Sequence, residues 1–305
     1  MQKSCLLVCL VLLTSLAGCA ANNYQYGGGT SGEGLSPRMD QQIRIGNPHA
    51  FLDASDWIWP GSWLAKLILW NKNIDSHEVS QETIDEIAHY LQANELDNVQ
   101  VLINDYRPGI QWRRLFTNRE VGAGWRYTFG LLSTSIYTLL PGRFFGGDHF
   151  NPYTNTISIY SDDPAIVLHE GGHANDFSRR KHKGLHAALY ALPGAPLYYE
   201  AVASNDALSY LKNECRFADQ KHAYRVLHPA YGTYIGGTFY RQSPLGVLVA
   251  IPGHITGAIA AAKVDDNPEI EAMCLQTLEA RSGMQKEQVR DPTSDETATE
   301  PTAVE

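Results

Sequence analysis

The stretch VLHEGGHANDF, Val167 to Phe177, places two adjacent glycines between two histidines. Each glycine costs a helix interior about 1 kcal/mol relative to alanine, so the middle of the stretch disfavours a helix. Its flanks favour one. Asp163 followed by Pro164 is typical of an N-cap and first helical position, and the basic run 179–183 before Gly184 is typical of a C-terminus. The flanks predict a helix of about five turns that ends in a left-handed glycine.

On such a helix, His169 and His173 stand one turn apart on one face, so that their imidazoles converge on a single metal ion. Glu170 is displaced enough to face an attacking water rather than the metal. This pattern predicts a hydrolytic site that holds one Zn²⁺ per chain, with Glu170 as its base. Because glycine has no Cβ, Gly171 and Gly172 would let a neighbouring backbone approach closely. That neighbour is either a preceding strand or the helix that brings the remaining ligand.

The segment resembles the zincin metallopeptidases, and the resemblance covers little more than residues 155–210. Asn175 departs from the pattern, since such helices usually carry an apolar residue there. Asp176 and Arg179 stand where the metzincin branch has a glycine and a third histidine, so that branch does not fit. The gluzincin branch takes a glutamate from a second, downstream helix, and this resemblance implies Glu200 as the third ligand.

Glu200 is the only acidic residue between Leu185 and Asn205, in a segment that Pro196 is suited to start as a helix. A lone carboxylate in apolar surroundings needs a partner, and a dication is the strongest one. The alternative is a surface glutamate on an amphipathic helix. Ser204, one turn after Glu200, and Asp206 are candidates to orient a histidine ligand.

Two further roles have several candidates. Asp176 shares the face of the two histidines, and we expect it either to orient a ligand or to be structural. A zinc hydrolase also needs a hydrogen-bond donor for the oxyanion, opposite the metal. The candidates, among which the sequence does not choose, are His254, Tyr198, Tyr199, Tyr231 and Tyr234.

The N-terminus, MQKSCLLVCLVLLTSLAGC, has a basic start, a short apolar run and then small residues, as secretory signals do. Leu16 to Cys19 resembles the lipobox of bacterial lipoproteins. That resemblance implies cleavage before Cys19, a lipid on Cys19 and attachment to a membrane outside the cytoplasm. The absence of aspartate directly after Cys19 implies the outer membrane, facing the periplasm. The alternative is an ordinary cleaved signal.

Composition divides the chain into a signal peptide (1–18), a flexible polar tether (19–48), a metallopeptidase domain (49–281) and a disordered acidic tail (282–305). Cys215 and Cys274 are the two cysteines left in the body, and in an oxidising compartment they either pair or remain separate buried thiols.

The predicted fold class is α+β: zincin-like and mostly helical, with a small sheet whose edge strand precedes the HExxH helix. Ser80 is a suitable N-cap for an amphipathic helix, and Asn98–Tyr106 is a short apolar run typical of a strand. Asn155–Ser161 alternates polar and apolar residues, which predicts a strand with one buried face.

Two apolar segments allow more than one interpretation. Leu245–Ala262 has no formally charged residue and carries glycines at GxxxG spacing, so it either contacts a membrane or packs tightly in the core. Trp57–Trp70 is either core, which we favour, or an aromatic belt at a lipid interface.

The net charge of −9 argues against a nucleic-acid partner. We expect a membrane-anchored zinc metallopeptidase of the bacterial envelope that cleaves peptides or proteins lying along the 155–161 strand. One alternative is a non-enzymatic lipoprotein, an assembly or chaperone-like factor with a structural zinc. Another is a zinc hydrolase that acts on something other than peptides.

Overall fold

The computed structural model describes residues 24–26, 42–47, 60–140, 142, 147–239 and 248–290. The described residues are mostly helical, at 65%, with a small mixed four-stranded sheet, and the fold is therefore of the α+β class. The predicted signal peptide and Cys19 lie outside the described residues.

The sheet contains β1 (Ile43–Ile45), β2 (Gln100–Ile103), β3 (His149–Asn151) and β4 (Thr156–Ile159). The helices are α1 (Pro60–Leu69), α2 (Gln81–Ala93), α3 (Pro108–Thr117), α4 (Ala123–Trp125), α5 (Leu131–Leu139), α6 (Pro164–Ser178), α7 (Lys183–Leu189), α8 (Ala195–Asn213), α9 (Phe217–Phe239), α10 (Ala250–Ala262) and α11 (Pro268–Arg290). A π-helical turn, Arg126–Gly130, joins α4 to α5.

The strands are arranged in the order β1-β2-β4-β3. The first three run parallel, and β3 pairs with β4 in the antiparallel sense. The strand before the motif helix, β4, is therefore internal, and all four of its residues are buried. The predictions of an edge strand and of a single buried face were wrong, because β2 and β3 pair with β4 on its two sides and residues on both of its faces are buried. The edge next to the motif is β3.

Part of the predicted tether belongs to the folded body. Ile43–Ile45 forms β1, and the buried Gln42 side chain donates to the carbonyl of Leu96 at 2.7 Å. Tyr24 is also docked, with its hydroxyl donating to Asn94 Oδ1 at 2.7 Å. The tether prediction was wrong for these residues because two short segments gain their order from contacts with distant parts of the chain.

The C-terminal boundary was also placed too early. Helix α11 continues to Arg290, so the prediction of disorder was wrong over 282–290, while 291–305 lie outside the described residues. Cys215 and Cys274 are joined by a disulfide, which ties the start of α11 to the turn between α8 and α9.

Helix α6 begins as predicted, with the Asp163 side chain accepting from the amide of Ala165 at 2.9 Å. It ends at Ser178 rather than at Gly184. Gly184 lies inside α7, where a Cβ would come within 2.2 Å of the Trp125 ring. Gly184 therefore serves close packing against Trp125 and does not form a left-handed cap.

The glycines of α6 face two different neighbours. A Cβ on Gly172 would come within 2.7 Å of the carbonyl oxygen of Ala203 on α8, and one on Gly171 would come within 2.6 Å of the Tyr90 ring on α2. Of the two predicted neighbours, the helix that carries Glu200 is the one that approaches.

The apolar helix α10 packs tightly on one side. Positions for a Cβ on Gly253 and Gly257 lie 2.5 Å from backbone atoms of Pro229 and Tyr224 on α9, so these glycines serve packing within the protein. Among the described residues, no helix is long and apolar enough to cross a membrane.

Candidate metal centre

Helices α6 and α8 bring three side chains together. The Nε2 atom of His169 lies 3.0 Å from Glu200 Oε2, and the Nε2 atom of His173 lies 3.5 Å from the same oxygen. One ligand atom from each of the three residues lies within 4.8 Å of the other two. The backbone contact at Gly172 sets this spacing, because it holds α8 against α6 one turn from Glu200.

The 3.5 Å between His173 and Glu200 matches a tetrahedral zinc site, whereas the 3.0 Å between His169 and Glu200 is a hydrogen-bond distance that would have to widen slightly. Zinc binds imidazole nitrogen and carboxylate oxygen at about 2.0 to 2.2 Å, so two ligand atoms of a tetrahedral site stand about 3.3 to 3.6 Å apart. Three protein ligands leave a fourth position open, as in catalytic zinc sites. The donor atoms, two imidazole nitrogens and one carboxylate oxygen, are those of a typical zinc hydrolase.

Burial and mutual contacts shift the pKa values of His169, His173 and Glu200. Burial lowers the pKa of His169. Burial also lowers the pKa of His173, but the Glu200 carboxylate outweighs it and raises that pKa to about 9. Burial of Glu200 works against ionisation, yet the two histidines hold the pKa of its carboxyl well below the ordinary value. Glu200 is thus a buried carboxylate anion compensated by imidazoles, and a dication would compensate it more strongly.

Of the three residues predicted to orient a ligand, only Ser204 contacts His169 or His173. Ser204 Oγ lies 3.2 Å from His169 Nδ1, the ring nitrogen that faces away from Glu200. The Asp206 carboxylate instead accepts from Tyr90 and from Asn175 Nδ2, on the opposite side of α6. Asp206 was a mistaken candidate, because the close approach of α6 and α8 directs it toward α2. Asp176 pairs with His186 at 3.0 Å and with Arg180.

Glu170 is buried beside the trio. Burial raises the pKa of its carboxyl to about 8. Its Oε2 atom has no hydrogen-bond partner among the described residues, although the residue is only 6% exposed. An unpartnered buried carboxylate oxygen is costly, which makes it a sign of function more often than of stability.

A cavity of about 540 Å³ opens onto Glu170, His173 and Glu200. Its walls come from α5, the β3 region, α6, α7, α8 and α9. They are largely apolar and aromatic, with Phe129, Leu132, Ile136, Leu140, Phe150, Tyr153, Phe177, Ala187, Ala191 and Tyr199 among the lining residues.

The oxyanion-donor candidates lie at different distances from this cavity. Tyr234 and Tyr199 line it, and the negative charge of Glu200 raises the pKa of Tyr234. The Tyr199 hydroxyl already donates to the carbonyl of His186 at 2.8 Å. Outside the cavity, Tyr231 donates to the Leu197 carbonyl at 3.1 Å and Tyr198 is exposed.

His254, the fifth candidate, is remote from the metal centre. Its Nε2 atom lies 2.7 Å from the carbonyl of Ile68, and its ring stacks on Trp70. Of the five candidates, Tyr234 is therefore the best positioned to donate to an oxyanion, because it lines the cavity and the Tyr199 hydroxyl is already bonded to a carbonyl.

Three residues of the site were not predicted from the sequence: Tyr190, Tyr137 and His149. The Tyr190 hydroxyl donates to Glu200 Oε1 at 2.8 Å, which leaves Oε2 to face the histidines. Tyr137 lines the cavity and stacks on His149, with ring centroids 4.1 Å apart. Burial, followed by the charges of nearby carboxylates, raises the pKa of Tyr137 to about 12. The only sequence signal for Tyr190 was its position in the apolar stretch before Glu200.

Comparison with known proteins identifies no relative: no family model, curated protein or solved structure matches this chain.

Proposed function

We propose that the protein is a zinc-dependent metallopeptidase of the zincin type, with His169, His173 and Glu200 as the gluzincin ligand set. The observation that carries this proposal is Glu170, which lines the same cavity as two of the ligands and has one buried carboxylate oxygen without a hydrogen-bond partner among the described residues. A purely structural zinc has no use for such a group, and such sites usually have four protein ligands.

When bound, zinc supplies Lewis acidity toward the scissile carbonyl and makes water a stronger nucleophile at neutral pH. Glu170 takes the proton from the attacking water and passes it to the leaving amine. Its apolar surroundings suit both roles, because they make the protonated carboxyl accessible near neutral pH. Ser204 and Tyr190 hold His169 and Glu200 in place.

The substrate is an extended peptide that pairs with β3 rather than with β4. Among the described strands β3 forms the edge nearest the motif, and His149 and Phe150 of β3 also line the cavity. Main-chain pairing along an edge recognises peptides generally, while the apolar cavity favours bulky hydrophobic side chains next to the scissile bond.

Two alternatives remain as outcomes of the tests. In a non-enzymatic lipoprotein with a structural metal, Glu170 would be expendable. A zinc hydrolase with a non-peptide substrate would need Glu170 but would cleave no peptide.

A Glu170→Gln substitution tests the proposal because it removes the base and keeps its shape. We expect the variant to bind about one zinc per chain and to lose a hundredfold or more in kcat/KM toward fluorogenic peptides with apolar side chains. The exposed Glu82→Gln variant is the matched control. Undiminished peptidase activity in Glu170→Gln would eliminate Glu170 from the mechanism. A wild type that binds zinc but cleaves no peptide would overturn the peptidase assignment in favour of a structural site or a hydrolase with a non-peptide substrate.

We also propose that the protein is lipid-anchored through Cys19 in the bacterial envelope, on the periplasmic side of the outer membrane. A Cys19→Ser variant should accumulate as an unprocessed precursor or be released in soluble form. If carbonate-washed membranes retain it in processed form, another anchor holds the protein.

A further inference from the structure

Six large side chains on α1, directly after α1 and on α10 form an exposed surface that we call the apolar face. Within each helix they recur at intervals of four residues, so they lie on one side of it. The exposed fraction of each is between 47 and 78%. The members are Trp63 and Leu67 on α1, Trp70 directly after α1, and Ile251, Ile255 and Ile259 on α10.

The opposite sides of both helices are occupied by the protein itself. Gly253 and Gly257 pack against α9, and Ala65 and Leu69 pack against the main hydrophobic core. The two helices are joined at His254, whose ring stacks on Trp70 with centroids 4.0 Å apart. The apolar face is therefore continuous across both helices, and core packing does not explain it. The expectation that Trp57–Trp70 is core was wrong for its described outward-facing side chains.

The charge around the apolar face identifies its partner. Residues 60–74 and 248–264 contain three lysines, Lys66, Lys72 and Lys263, and no acidic residue, in a chain whose net charge is −9. Tryptophan and aliphatic side chains flanked by lysines are typical of helices that lie in the interface of an anionic bilayer. In a symmetric dimer formed through this face, the lysines of the two copies would lie close to each other and repel, so these charges do not favour a second copy.

We propose that the apolar face rests on an anionic lipid surface, with Trp63 and Trp70 at the level of the headgroups and the lysines facing lipid phosphates. Neither helix is long and apolar enough to cross the bilayer, so the contact is interfacial. This contact is independent of the metal centre, and it would fix the orientation of the body on the membrane even where a lipid on Cys19 already tethers it.

The test uses the full chain in vesicles of phosphatidylethanolamine and phosphatidylglycerol with brominated acyl chains, which quench only inserted tryptophans. We expect Trp63→Phe/Trp70→Phe to abolish most of the quenching shown by the wild type. The matched control, Trp112→Phe/Trp125→Phe, should preserve it. Absent quenching in the wild type, or equal quenching in the two double variants, would overturn the proposal.

A second pair of variants tests the apolar face without the lipid, in a Cys19→Ser chain. Binding of Leu67→Glu/Ile255→Glu to unbrominated anionic vesicles should fall at least about tenfold, because two apolar side chains no longer leave water. The equally exposed Leu139→Glu/Leu192→Glu control should bind as its parent does. All four substituted positions are exposed, so the fold should persist, as circular dichroism can verify. If light scattering finds a dimer that only the first variant dissociates, a second copy covers the apolar face and the proposal fails.

Discussion

Substitution of Glu200 most directly distinguishes a metal site from a buried cluster of ion pairs. Its carboxylate already has neutralising partners in His169 and His173, so its burial alone does not require a metal. If it binds zinc, Glu200→Ala should lower zinc affinity at least about a hundredfold and abolish activity with it. Glu200→Gln should weaken both, because a neutral amide oxygen is a weaker zinc ligand than a carboxylate anion.

Dialysis of both variants against graded zinc buffers, followed by determination of bound metal, measures this effect. Substitution of the exposed Glu82 by alanine serves as the control for the loss of one negative charge. Zinc content equal to that of the wild type in Glu200→Ala would show that the third ligand lies elsewhere.

Among single residues, the sequence predicted the proximity of His169, His173 and Glu200 more fully than the residues around them. The spacing of His169, Glu170 and His173 encodes their relative positions because all three lie on one helix. Tyr190 and Tyr137 could not be predicted in the same way. Tyr137 reaches the cavity from α5, and Tyr190 reaches it from the turn between α7 and α8. Because they are brought to the site only by the tertiary fold, no spacing in the sequence relates them to the motif.

The geometry of the site depends on the close contact between α6 and α8 at Gly172. A methyl group there would come within 2.7 Å of the Ala203 carbonyl and 3.1 Å of Asp206 Cβ, so the helices would have to separate. We expect Gly172→Ala to cost about 1 to 3 kcal/mol of unfolding free energy, despite the better helix propensity of alanine. Zinc affinity should fall as well, since Glu200 lies one turn from the contact.

Gly109→Ala is the matched control, because Gly109 also lies in a helix but has no atom within 4 Å of the added methyl position. That substitution should stabilise the protein by up to about 1 kcal/mol. Urea unfolding of both variants measures the difference. Equal stabilisation by the two substitutions would mean that α6 and α8 are not in backbone contact.

Helices with strong local signals were predicted well. Ser80 caps α2, and its side chain accepts from the amide of Thr83, as the sequence indicated. The end of α6 was wrong because the same glycine that can cap a helix can also admit a tryptophan ring, and the sequence does not distinguish these uses. Strand β1 was missed because three residues give too short a period to detect.

At the scale of the whole molecule, one buried polar network joins four segments behind the metal centre. Asp206 of α8 accepts from Tyr90 of α2 and from Asn175 of α6, the residue that departs from the zincin pattern. Tyr24 adds the N-terminal segment through its bond to Asn94. This network explains the polar residue at position 175, since its buried side chain donates to the partly buried Asp206 carboxylate rather than packing in an apolar core.

The network predicts a pH dependence of stability centred on Asp206. Burial raises the pKa of its carboxyl from 3.8 to about 6, although hydrogen bonds from Tyr90 and Asn175 and the charge of Arg179 act in the opposite direction. Between these two pH values the folded state holds more protons than the unfolded state, so this group makes the protein less stable as the pH rises from about 4 to 6.

An Asp206→Asn variant should therefore gain stability relative to wild type as the pH rises, by up to about 3 kcal/mol between pH 4 and 7, since each pKa unit corresponds to about 1.4 kcal/mol. Taking the difference between variant and wild type cancels the titration of groups that the two proteins share. Urea unfolding at four pH values provides the measurement, and Asp97→Asn, at an exposed aspartate, controls for the loss of charge. A difference that stays constant from pH 4 to 7 would show that Asp206 ionises in the folded protein as freely as in the unfolded chain.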